Sequence, residues 1–220
     1  MPSGHRKEAI KTLRLHYGKE WSVKIIPVGI ELQRDSSSEL TQHVFFNFVR
    51  DDMLGLRVQP GVAVRFAAVN AARDAISPRH QHTVDSMTGF VFLNNLIDTA
   101  HRQNGGWLFE TNRSLQPDFD QFLDFVDETV KNTRFFESLL TVNDYIAAIE
   151  AKRWAFITSD LQYLYALIAA GQITKAKGLA AEYREQSIQI GREKGFVQHE
   201  SNIRPYDEIL QMPESEFLNQ

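Results

Sequence analysis

Gln42–Asp52 reads QHVFFNFVRDD, and its side chains alternate: Val44, Phe46 and Phe48 fall on one side of an extended chain, His43, Phe45 and Asn47 on the other. Successive residues of a strand point to opposite faces, so this period of two predicts a central strand with one buried face. Upstream, WSVKIIPVGIELQRD (21–35) is rich in β-branched residues but interrupted by Pro27 and Gly29. That pattern reads as an edge strand, or as two strands meeting at a bulge. SSSE (36–39) is then a turn. Further back, Ile10, Leu13 and Tyr17 recur at helical spacing and Gly18 follows where a C-cap glycine belongs, so Glu8–Tyr17 is expected to be helical.

Downstream, RVQPGVAVRFAAV (57–69) suggests a turn at Pro60-Gly61, a short strand Val62–Phe66 and an alanine-rich helix from Ala67 to Ile76, closed by Ser77-Pro78. MTGFVFLNN (87–95) and GGWLFET (105–111) both read as strands that a long hairpin would join; a helix over Phe90–His101 is the rival reading. From Pro117 the period changes. Phe119, Phe122, Leu123, Val126 and Val130 mark one helical face, and the chain is expected to stay helical to about Arg192. Strands first and helices second is an α+β order. It predicts an antiparallel or mixed sheet region (1–115) packed with helices, a helical lobe (116–195) on it, and a C-terminal tail (196–220), together one compact domain.

A chain of 220 residues with 43% hydrophobic residues and 15 Phe carries a full core without staples. The absence of cysteine excludes disulfides, thiolate metal sites and a cysteine nucleophile, and fits a reducing compartment. No leader-like apolar segment and no membrane-length apolar run occurs, so a cytoplasmic protein is expected. With 24 Lys+Arg against 28 Asp+Glu the net charge is −4, which gives no global attraction to nucleic acid. Phosphate-cradling glycine loops, the serine nucleophile elbow and the paired-histidine zinc helix are all missing, and no cofactor is expected.

Three features carry the functional alternatives. In SPRHQHTVDSMTGF (77–90), His80 and His82 share a face if the chain is extended, with Asp85 following. Imidazole and carboxylate suit a metal or acid/base site, but Arg79 opposes a cation and the third ligand (His43, His101 or Glu110) is not fixed by spacing. The other reading is a polar loop. In PDFDQFLDFVDETV (117–130), Asp120, Asp124 and Asp127 or Glu128 lie on successive turns opposite the apolar face, and five acids occur from Asp118 to Glu128 without a base. This is either a solvated face favoured at a helix N-terminus or an acidic surface that captures a basic partner. In SDLQYLYALIAAGQITKAKGLAAEYRE (159–185), two apolar stripes flank Gly171, as in one tetratricopeptide-like hairpin, with no second copy at the repeat period.

The opening helix, IELQRD, HVFFNFVRDD, VQPGVAVRF, the TVDSMTGFVFL and GGWLFET pair and the helical tail together resemble a diverse group of uncharacterised bacterial α+β proteins, some of which lie beside polymorphic or contact-delivered toxins and act as immunity proteins. The likeness spans about Ala9 to Glu110 and rests on hydrophobic pattern, so it transfers no catalytic residue. It implies a non-enzymatic protein that neutralises a toxin, with Asp120, Asp124, Asp127 and Glu128 as the surface for a basic partner. The alternatives are a metal-assisted hydrolase using His80, His82 and Asp85, and an adaptor using the hairpin at Gly171. Neither direct nucleic-acid binding nor membrane contact is expected, and oligomeric state is not legible.

Overall fold

A computed structural model describes residues 3–51, 55–77, 87–96, 106–110, 113–116, 118–157, 159–193 and 200–213. Six strands form one sheet with antiparallel pairing throughout: β1 (Ser22–Ile26), β2 (Gly29–Asp35), β3 (Leu40–Asp51), β4 (Gly55–Phe66) and β5 (Gly89–Phe92) lie in that order, and β6 (Trp107–Glu110) also pairs with β4. The class is α+β, as the order of patterns predicts. The segment around Pro27 is two strands, with β1 at the sheet edge, joined across Pro27-Val28 so that Ile26 faces Gly29.

Two expectations are corrected here. Pro60-Gly61 is not a turn: β4 runs straight through both residues, Phe46 opposite Pro60 and Phe45 opposite Gly61. Even-numbered residues of β4 turn their backbone groups away from β3, as the Thr88 N–H bond to the Val64 carbonyl shows. On that edge β6 pairs as far as Val58 and β5 starts at Gly61, so the N–H that proline lacks falls in the interval between them. The second correction concerns the expected hairpin. β5 and β6 do not pair with each other but lie end to end along β4, and Leu93–Leu96 between them is a turn of helix, α3.

The helices are α1 (Ser3–Tyr17), α2 (Ala67–Ile76), α4 (Asp118–Thr133), α5 (Val142–Glu150), α6 (Asp160–Ala169), α7 (Ile173–Glu193) and α8 (Glu200–Gln211). Helix α2 has the bounds its sequence predicts. Residues 196–220, expected to be a tail, contain α8, whose Tyr206 and Ile209 are buried. Glu208 of α8 accepts a short hydrogen bond from the Ser77 hydroxyl, at the end of α2.

The core lies between one sheet face and the helices. Ile30, Leu32, Val44, Phe46, Val62 and Val64 are within 3% of complete burial, together with Leu13 of α1 and Phe119 and Phe122 of α4. Phe122 meets Phe46 edge-on at 6.0 Å and Phe109 at 5.6 Å. The opposite sheet face carries Glu31, His43, Phe45, Gly61, Ala63, Phe90 and Phe92. There the Phe90 ring lies over Gly61, where a Cβ would come within 2.7 Å of it, and touches Phe45 and Phe92 at 5.6 and 5.0 Å.

Candidate functional site

Helix α4 buries Phe119, Phe122, Leu123, Val126 and Thr129, a spacing of three and four that leaves Asp120, Asp124, Asp127 and Glu128 on its outer side, all exposed. Asp118 and Asp120 sit in the first turn, where the helix dipole favours them. The four acids of the sequence-predicted partner surface do lie along one side, but not in equivalent surroundings. Asp127 is held by α1: the Tyr17 hydroxyl donates to Oδ1 at 2.6 Å and His16 Nε2–H to Oδ2 at 2.7 Å. Burial of Tyr17, then its bond to Asp127, pushes the phenol far above the ordinary tyrosine value, so it stays a donor. Among the described residues Asp120 accepts only a long bond from Gln116, at 3.3 Å. Asp124 and Glu128 have neither hydrogen-bond nor ion-pair partners among the described residues.

Where the two helices meet, His16, Tyr17, Glu20, Trp21 and Asp127 line a small polar notch of about 210 Å³. Trp21 is fixed there between Phe136, 5.9 Å away, and the Arg34 guanidinium, 4.5 Å over its ring. Sequence reasoning counted cations within α4 only. It missed His16 and Tyr17, which stand more than a hundred positions earlier; the helical spacing that puts Tyr17 on the buried side of α1 was the available signal.

His80, His82 and Asp85 lie outside the described residues, as does His101. Of the other residues considered for completing a metal site, Glu110 pairs with Arg113 at 3.2 Å and His43 with Glu31. No group of three or more metal-ligating side chains occurs among the described residues. The Glu31–His43 pair was not foreseen. His43 Nδ1–H donates to Glu31 Oε1 at 2.8 Å, with His43 fully buried and Glu31 nearly so. That bond is the main cause of a Glu31 carboxyl below the ordinary glutamate range, against the opposing effect of burial. His43 Nε2 is buried without a partner among the described residues. A glutamate at a sheet-facing position of IELQRD, one strand from a histidine, was the legible hint.

Around Gly171, α6 and α7 pack together as a helical hairpin, with Leu164, Ile168, Ala176 and Ala180 buried. Among the described residues no helix is long and apolar enough to cross a membrane. No protein-family model, curated protein or solved structure matches this chain.

Proposed function

We propose that this chain is a protein-binding protein that neutralises a basic partner through the outer side of α4, the role immunity proteins perform against toxins. The observation that carries the reading is the division of labour among its acids. Asp127 is spent on holding α1 against α4, while Asp124 and Glu128, one turn apart, are exposed and unpaired among the described residues. Unpaired charges of one sign on a fixed surface attract an oppositely charged partner over distances near the Debye length, and so act mainly on association rate.

The test uses Asp124→Lys with Glu128→Lys, which leaves the Asp127 joint intact, against Asp127→Asn as a structural control. Candidate partners are the products of genes adjacent to this one, tested first for growth rescue on co-expression and then for association rate at low and high salt. The double substitution should slow association at least tenfold at low salt and abolish most of its salt dependence. A natural partner whose rates are the same for wild type and double variant, with both folded, removes α4 from the binding surface.

A further inference from the structure

The end of α5, residues 151–157 and 159 that follow it, the start of α6 and a side of α7 line a pocket of about 450 Å³ that opens to solvent. That is within the size range of sites that take small organic ligands. Its walls are aromatic: Trp154, Phe156, Tyr163 and Tyr183, all half-buried. The exposed side chains of Lys152 and Asp160, the latter in the first turn of α6, also line it with opposite charges, and neither side chain has a hydrogen-bond or ion-pair partner among the described residues.

The walls are pre-set. Ser159 caps α6 by accepting from Gln162 N–H, and Ile157 N–H donates to the Phe90 carbonyl at 2.7 Å, tying the loop to β5. Gly89 permits that approach, since a Cβ there would stand 2.8 Å from Tyr145 and 3.0 Å from Phe156. One outer group of the loop is already satisfied: the Arg153 guanidinium lies 4.4 Å over the Trp154 ring. Tyr163 is turned by its bond to Glu150, at 2.9 Å, an acid that also takes Lys175.

Lys152 also occupies a restricted backbone position. Helices α5 and α6 end in the same motif. Lys152 N–H and Arg153 N–H bond back to the carbonyls of Ile149 and Ala148, as Gly171 N–H and Gln172 N–H bond to Ile168 and Leu167. Both motifs require a left-handed residue, φ 74° at Gly171 and φ 50° at Lys152. Glycine suits that position and a residue with a Cβ does not. At α5 the chain keeps a lysine there, as it keeps Arg134 at φ 51° after α4, and this lysine lines the pocket.

We propose that this pocket binds a small zwitterion with an aromatic body, of the class of an aromatic α-amino acid: its carboxylate on Lys152, its ammonium on Asp160, and its ring among Trp154, Phe156, Tyr163 and Tyr183. A simple cation would leave Lys152 opposed, and a simple anion would leave Asp160 opposed. A ligand carrying both charges complements both groups, whereas a ligand of one charge meets only one of them. The site shares no residue with α4, so its failure leaves the protein-binding reading untouched.

The experiment is calorimetric titration of the full chain with L-tryptophan and L-phenylalanine, with phenethylamine and 3-phenylpropionate as single-charge controls. At least one amino acid should saturate at one site per chain and bind ten times or more tighter than either control. Lys152→Gly should raise the melting temperature by roughly 2–4 °C, because it relieves the left-handed position, while weakening binding at least tenfold. Asp160→Asn should weaken binding as much with little change in melting temperature. Loss of binding in a more stable variant cannot come from misfolding. The proposal is overturned if neither amino acid saturates the chain, if a single-charge control binds as tightly, or if Lys152→Gly binds like wild type.

Discussion

The two faces of β3 carry alternate residues of one stretch of sequence and hold their neighbours by different means. On the helix-covered face Val44 and Phe46 are buried among aliphatic and aromatic side chains, and removal of apolar surface from water is sufficient. On the other face His43 is as completely buried as Phe46, yet it carries two polar ring nitrogens and is matched by one carboxylate. Burying a polar or charged group costs free energy unless it is paired, so this face depends on a specific contact. Equal burial therefore does not mean equal tolerance: the first face accepts changes of similar volume and shape, whereas the second accepts changes only in pairs.

The largest expected effect is on the helix-covered face. Phe46→Ala should cost about 3–5 kcal/mol in denaturant unfolding, clearly more than Phe45→Ala, whose half-buried ring sits on the other face against His43 and Phe90. Equal losses would break the contrast. Next comes the polar pair. Glu31→Leu alone should cost about 3 kcal/mol by stranding His43, and adding His43→Phe should recover most of it; a double variant no better than the single one would mean the pair is not a unit.

Acid titration sharpens the same point. Because the folded carboxyl of Glu31 lies below its ordinary value, its contribution is present above about pH 4.3 and is lost as pH falls through the folded value. The unfolding free energy of Glu31→Gln should accordingly fall less steeply with acid than that of wild type. The smallest effect is expected at Gly61→Ala, about 1–2 kcal/mol, since the obstructing atoms belong to the Phe90 ring and can shift. A loss as large as that of Phe46→Ala would show that the aromatic cover of this face is as rigid as the core.

What was legible followed local period. The alternation of Val44, Phe46 and Phe48, the bounds of α2 and the buried side of α4 come from spacing within a dozen residues. What was not legible depended on distant partners. Pro60 reads as a turn because nothing nearby says that the neighbouring edge is interrupted at that residue. Phe90 and Trp107 read as a hairpin because a gap between two strands suggests they pair, whereas β4 is long enough to take both. The acidic row was legible, but the separation of Asp127, which α1 holds, from Asp124 and Glu128, which have no partner among the described residues, required α1. The left-handed lysine was hidden, because sequence signals mark such positions only when glycine occupies them.

The meander from β1 to β4 also has a temporal consequence. Each of its three pairings closes a short segment, whereas β5, β6 and α4 reach the sheet only after longer loops are closed, and loop closure becomes more costly with length. Assembly should begin in the β3–β4 ribbon, with substitutions there slowing refolding and substitutions in α8 mainly hastening unfolding. A nascent chain emerging in order would thus present a nearly complete sheet, with Val44 and Phe46 uncovered, before α4 exists to cover them. For that interval α1, already made and carrying Leu13 and Tyr17, is the helix at hand to shield the apolar face.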